Sequence, residues 1–100
     1  MIIYKLMTAE EYELFKTTGT FTGNELDKRD GFIHMSQNLD QVARVRGKFY
    51  PQYTSLYKVS ISLERLQNVR FEKSKSSEDI YPHEYGVLNY DCVIDAEIIS

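Results

Sequence analysis

The stretch GFIHMS, residues 31–36, decides how the chain is partitioned. In a strand alternate side chains share a face, so Ile33 and Met35 point one way and Phe32, His34 and Ser36 the other. The apolar pair is the core side, which leaves His34 on the opposite surface. Ser36 then caps a helix running to about residue 49, with Leu39, Val42, Val45 and Phe49 as its buried stripe and Pro51 closing it. The first N–H groups of such a helix are unpaired and partly positive. A histidine beside them is well placed to hold an anion or a polar ligand. The competing reading is a histidine that merely bonds a backbone carbonyl beside the core.

Upstream, residues 2–6 (IIYKL) read as an opening strand. The following helix has marked ends. Thr8 and Glu11 form a capping box, Met7 and Tyr12 sit at the staple positions around it, and Gly19 can take the left-handed conformation that ends a helix. Ala9, Tyr12 and Phe15 repeat at helical spacing and should face the core. Residues 20–31 are polar, with turn signals at Gly23-Asn24 and Asp30-Gly31, and read as a loop long enough to suggest function. Downstream, residues 54–62 alternate as a half-buried strand, 62–66 form a short helical turn and 68–73 another strand. Residues 75–86 read as a second irregular segment and 91–99 as the closing strand. The order β-α-β-α-β-β-β is an α+β pattern, and 100 residues make one domain, 1–100.

Composition narrows the function. A net charge of −3 argues against a general nucleic-acid binder, which shows a basic excess. Arg44, Arg46 and Lys48 lie close together, but a solvated helix face accounts for them more simply. The single cysteine, Cys92, excludes an internal disulfide and fits a reducing compartment. No apolar run approaches the roughly 20 residues that span a bilayer, and MIIYKL is too short for a signal peptide. The expectation is a cytoplasmic protein without membrane contact.

The second of the two histidines, His83, lies in YPHEYG, residues 81–86. Pro82 biases the chain entering it toward an extended form. Two tyrosines, an imidazole and the Glu84 carboxylate then fall within six residues. Either this segment carries function or it is a rigid turn packed by its own aromatics. Metal binding by the two histidines with Glu84 or Asp79 is disfavoured, because the histidines lack His-x-x-x-His spacing and there is no Cys-x-x-Cys. Cys92, in strand register with Tyr90 and Ile94, reads as a buried inert thiol. The glycines match neither phosphate-loop nor dinucleotide fingerprints, and no carboxylate pair stands out.

IYK at residues 3–5, DGFIHMS at 30–36 and PHEYG at 82–86 together resemble the family catalogued as domain of unknown function 952, over nearly the whole chain. Glu84 stands where that family's pattern carries leucine. The family is similar in fold to the ADP-ribosyltransferases and RNA 2′-phosphotransferases. The resemblance therefore implies a small split β-sheet sandwich flanked by two helices, ADP-ribosyltransferase-like, with a nicotinamide-nucleotide cleft. By it His34 and Ser36 line the cleft, His34 bonds a ribose or phosphate, and Lys5 contacts ligand from the first strand. His83, Glu84 and Tyr85 approach from the segment before the last strand, with His34 and His83 as the catalytic pair. NAD or a related nucleotide is the implied cofactor.

ADP-ribosyl transfer develops charge on the ribose and usually needs a carboxylate. Glu84 and Glu97 are late in the chain, but neither matches a transferase motif residue by residue. Phosphotransfer needs basic groups at the anion, for which Lys5, Arg44 and Arg46 are candidates. Two readings stand. One is a cleft for a nucleotide-like or ribose-phosphate ligand, with an ADP-ribosyl or phosphoryl transferase activity open. The other is a non-catalytic interaction or accessory domain with a vestigial cleft.

Overall fold

The computed structural model describes residues 1–75 and 77–100. The chain runs β1 (Ile2–Met7), α1 (Ala9–Thr18), β2 (Thr20–Phe21), α2 (Glu25–Asp30), β3 (Ile33–His34), α3 (Leu39–Phe49), β4 (Leu56–Ser62), β5 (Val69–Lys73), β6 (Ile80–Glu84), β7 (Leu88–Asn89) and β8 (Val93–Ile99). It is a small α+β fold with three α-helices among the described residues, where two flanking helices were expected. All strand pairs are antiparallel: β1-β4-β8, β2-β7 and β3-β6-β5.

Sheet β1-β4-β8 is covered on both faces. Ile3, Met7, Val59 and Ile61 join Tyr12 and Phe15 of α1 in the main core. Leu6 and Leu56 turn the other way and meet Val42 of α3. Burying one side chain the size of Phe15 or Leu56 is worth roughly 1.5–3 kcal/mol. The ends of α1 are as the sequence predicts. Thr8 and Glu11 form the capping box, and Gly19 caps the C-terminus at φ 86° while donating its N–H to the Phe15 carbonyl. Ala9 is exposed instead of joining Tyr12 and Phe15.

Three expectations are corrected. The supposed loop 20–31 contains β2 and α2. Asn24 accepts from the Asp27 N–H, Asp27 returns the bond to the Asn24 N–H, and Gly31 ends the helix at φ 83°. The next helix starts later than predicted: Asn38, not Ser36, caps α3 by accepting from the Gln41 N–H. Leu39 and Phe49 are exposed at its ends, and its buried residues are Gln41 and Val42. Finally, residues 80–84 of the segment read as irregular form the central strand β6; residue 76 of that segment lies outside the described residues.

Pro82 explains how the two three-stranded sheets come to fork. Its carbonyl accepts from the Met35 N–H (3.1 Å), but proline has no N–H to return. The β3–β6 ladder therefore ends at the rung pairing His34 with His83. Two residues on, the chain pairs with β1 instead: Ser36 and Tyr4 exchange both backbone hydrogen bonds at 2.8 Å. One rung thus joins sheet β1-β4-β8 to sheet β3-β6-β5, and the strands diverge from it.

Candidate functional site: a cleft at the fork of two sheets

The divergence opens a cleft of about 730 Å³. Its root carries Lys5, Asp27, His34, Ser36 and His83, and its outer walls include Tyr4, Phe49, Tyr50 and Tyr81. Among the described residues, six of the twelve Lys/Arg but only four of the fifteen Asp/Glu line it. The cleft is therefore the basic part of an acidic chain.

At the root, Asp27 collects four donors. Lys5 Nζ reaches both carboxylate oxygens (3.2 and 3.1 Å), the His34 N–H donates at 3.0 Å, and the Asn24 N–H donates at 3.0 Å. His34 Nδ1 lies 2.6 Å from the same carboxylate. Burial alone would raise the Asp27 pKa. The His34 hydrogen bond and the Lys5 charge more than reverse this, bringing it down to about 2. Lys5 also donates to the His34 carbonyl at 2.8 Å, tying β1 to β3 beyond the shared rung. The other imidazole nitrogen, Nε2, faces Asp30 at 2.9 Å. Asp30 is itself held below the usual carboxylate range by the Arg29 hydrogen bond, with His34 adding to it. His34 is thus clamped between two carboxylates.

His83 is held differently. The rung brings the two imidazoles to a ring separation of 5.8 Å, edge to face. His83 is 4% exposed, and its Nδ1 lies 2.8 Å from Glu72 Oε1 on β5. The Tyr85 hydroxyl donates to the same oxygen at 2.6 Å, and Arg70 stands 5.1 Å over the Tyr85 ring. Tyr85 first and then His83 hold the Glu72 carboxyl below its ordinary value. Burial pushes the His83 pKa down, only partly offset by Glu72. Phe32 stacks on the His83 ring at 3.9 Å and leans on His34 at 4.7 Å.

Lys5, His34, Ser36 and His83 therefore line one cleft, drawn together from residues up to 78 apart in the chain. Glu84 and Tyr85 are not brought to it. Glu84 alternates with His83 along β6 and is 1% exposed; its carboxylate accepts from the N–H groups of Asn68 (3.3 Å) and Gly86 (2.8 Å) and so organises a turn. Tyr85 supports Glu72 from behind. Glu97 pairs with Lys58 on the sheet β1-β4-β8 at 3.5 Å. Arg46 binds the carbonyls of Tyr50 and Tyr53 at the end of α3, whereas Arg44 does line the cleft and pairs with Asp79. The sequence reading missed Asp27, Asp30 and Glu72. The signals were present for two: Asp27 stands three residues after a capping Asn24, and Asp30 four residues before His34.

Cys92 is buried and its thiol is pushed up to about 11, chiefly by burial, as expected of an inert thiol. Among the described residues no group of three or more His, Cys, Asp or Glu is arranged to hold a metal ion, and no helix is long and apolar enough to cross a membrane.

The chain belongs to the family described as protein of unknown function DUF952, which matches residues 6–96. It is similar to the crystal structure of protein CC0527 from Caulobacter crescentus, at 27% identity and a TM-score of 0.88, covering 100% of this chain and 87% of that one. The solution NMR structure of CC0527 matches at 28% identity and a TM-score of 0.78, covering 96% and 82%. No curated protein matches the chain.

Proposed function

We propose that the cleft binds a nucleotide-like or ribose-phosphate anion, with Lys5, His34, Ser36 and His83 at its root. The observation that carries this reading is the charge inversion: a chain of net −3 gathers half of its Lys/Arg around one cleft. Such a concentration raises the local density of anionic ligands. Arg29, Lys73 and Lys75 at the rim sit in ion pairs with Asp30, Glu78 and Asp30. Exposed pairs of this kind hold weakly, so a phosphate can compete for the cations. Aromatic walls at Tyr4, Phe49 and Tyr81 suit the flat face of a base.

The split sheet supports the likeness to the ADP-ribosyltransferase fold, and NAD or a related nucleotide is the first ligand class to test. ADP-ribosyl or phosphoryl transfer is the chemistry such a site would serve. Fold alone does not assign it. Amide NMR titration with NAD, ADP-ribose and a ribose 2′-phosphate nucleotide tests the reading. Shifts should cluster on residues 30–36 and 82–83; none at millimolar ligand would sink it.

A second reading, a non-catalytic accessory domain, is favoured by one observation. Lys5 and His34 spend their polar atoms on Asp27 and Asp30 inside the protein. On either reading His34→Ala costs roughly 1–3 kcal/mol through unpaired partners. Loss of ADP-ribose binding where the variant is still folded marks the ligand role, and unchanged binding marks the accessory one.

A further inference from the structure

The two histidines of the cleft differ in what remains free on each ring, and that difference divides their roles. His34 has both nitrogens against carboxylates, Nδ1 with Asp27 and Nε2 with Asp30. His83 has one nitrogen engaged, Nδ1 with Glu72, and among the described residues Nε2 bonds nothing. Glu72 is an acceptor only, since the Tyr85 and His83 bonds keep it ionised. The contact therefore requires the proton on His83 Nδ1, which leaves the Nε2 lone pair available. Phe32 stacked on the ring at 3.9 Å fixes its plane. Tyr85, its ring under the Arg70 guanidinium, fixes Glu72 in turn. Burial keeps the ring neutral near pH 7, the form a proton acceptor needs.

We infer that His83 Nε2 is the proton acceptor of this cleft, acting on a hydroxyl of a bound ligand or water, and that Glu72 is its positioning residue. The inference rests on the ligand reading above and adds the group that does the work. In the step, the proton passes from the hydroxyl oxygen to Nε2 and the electron pair stays on oxygen. The imidazolium that forms is balanced by the Glu72 carboxylate. His34 holds the root of the cleft and takes no part in the transfer.

Ring-nitrogen NMR on the full chain tests this directly. Near neutral pH His83 should show Nδ1 protonated and Nε2 unprotonated. Glu72→Ala should move the proton toward Nε2, whereas Glu72→Gln, whose amide oxygen still accepts, should keep it on Nδ1. A merely structural Glu72 would leave the tautomer alone. A wild-type Nε2–H tautomer or an unmoved tautomer in Glu72→Ala overturns the assignment. The titration with NAD, ADP-ribose and the 2′-phosphate nucleotide separates the two ideas. Silent cleft amides with the stated tautomer sink the ligand reading, while shifted amides with Nε2 protonated sink the role of His83.

Discussion

Lys5 Nζ lies 3.1 Å from Asp27 Oδ2, and the two side chains are only 4% and 2% exposed. Ion pairs removed this far from water carry a large desolvation cost, so removing one partner strands the other. Lys5→Met should cost roughly 3–5 kcal/mol. A urea midpoint that drops at unchanged slope would be the reading. A loss below about 1 kcal/mol would mean that the pair behaves like a surface one.

Acid should weaken the fold in two stages. His83 has a folded pKa below its unfolded value of 6.5, so its contribution is complete above that pH and is lost as pH falls through the folded value. Asp27 falls from 3.8 to about 2. Its contribution, roughly 2 kcal/mol, is present above about pH 4 and disappears toward pH 2. Urea melts between neutral pH and the acid limit should resolve both steps. Asp27→Asn should shrink the lower one and leave the smaller share that Asp30 and Glu72 contribute.

Gly23 and Gly19 offer an internal comparison. Both have positive φ, 111° and 86°, but a Cβ on Gly23 would meet the Asp27 Cβ at 2.9 Å while one on Gly19 would meet nothing within 4 Å. Gly19→Ala should cost roughly 1–2 kcal/mol from backbone strain alone. Gly23→Ala adds a collision with the Cβ that carries the cleft-organising Asp27 carboxylate, and roughly 2–4 kcal/mol is expected. Equal losses in thermal or urea unfolding would contradict the packing at Asp27.

If the cleft takes an anion, its rim should be felt in affinity and salt dependence. Arg44→Glu or Lys73→Glu should weaken ADP-ribose by roughly 1 kcal/mol, about fivefold in Kd, and flatten the dependence on ionic strength. Calorimetry at two salt concentrations measures both. An unchanged Kd would place the ligand away from α3 and β5.

Local signals were legible in the sequence where they were complete within a few residues. Thr8 with Glu11 and Gly19 bounded α1, and the alternation at Ile33 and Met35 picked out the core face. Helix α2 was missed because ELDKRD has no apolar period and buries only Asp27; its two caps were the sole clue. Pro82 read as a loop marker, yet Phe71 and His34 sit within the strands on either side of it, a pairing that no local pattern encodes. The apolar stripe of α3 overran its partner. Periodicity reports a face, not how far the sheet beneath it extends, and Leu39 and Phe49 lie past that support. The histidines were found by their rarity. Their carboxylate partners were not: the cap spacing of Asp27 and the i, i+4 spacing of Asp30 are too common among fifteen acids to stand out, and only the fold distinguishes Glu72.

Asp27 is both the third residue of α2, closing its capping box, and the counter-ion of Lys5 and His34. A first turn that frays in isolation would ordinarily open at little cost. Here the first turn of α2 cannot unwind without releasing Lys5 and His34 at the same moment. Amides of Asp27, Gly31 and His34, all bonded to Asn24 or to Asp27 itself, should accordingly exchange with solvent at one common rate. The shortest α-helix among the described residues would then be among the slowest elements to open.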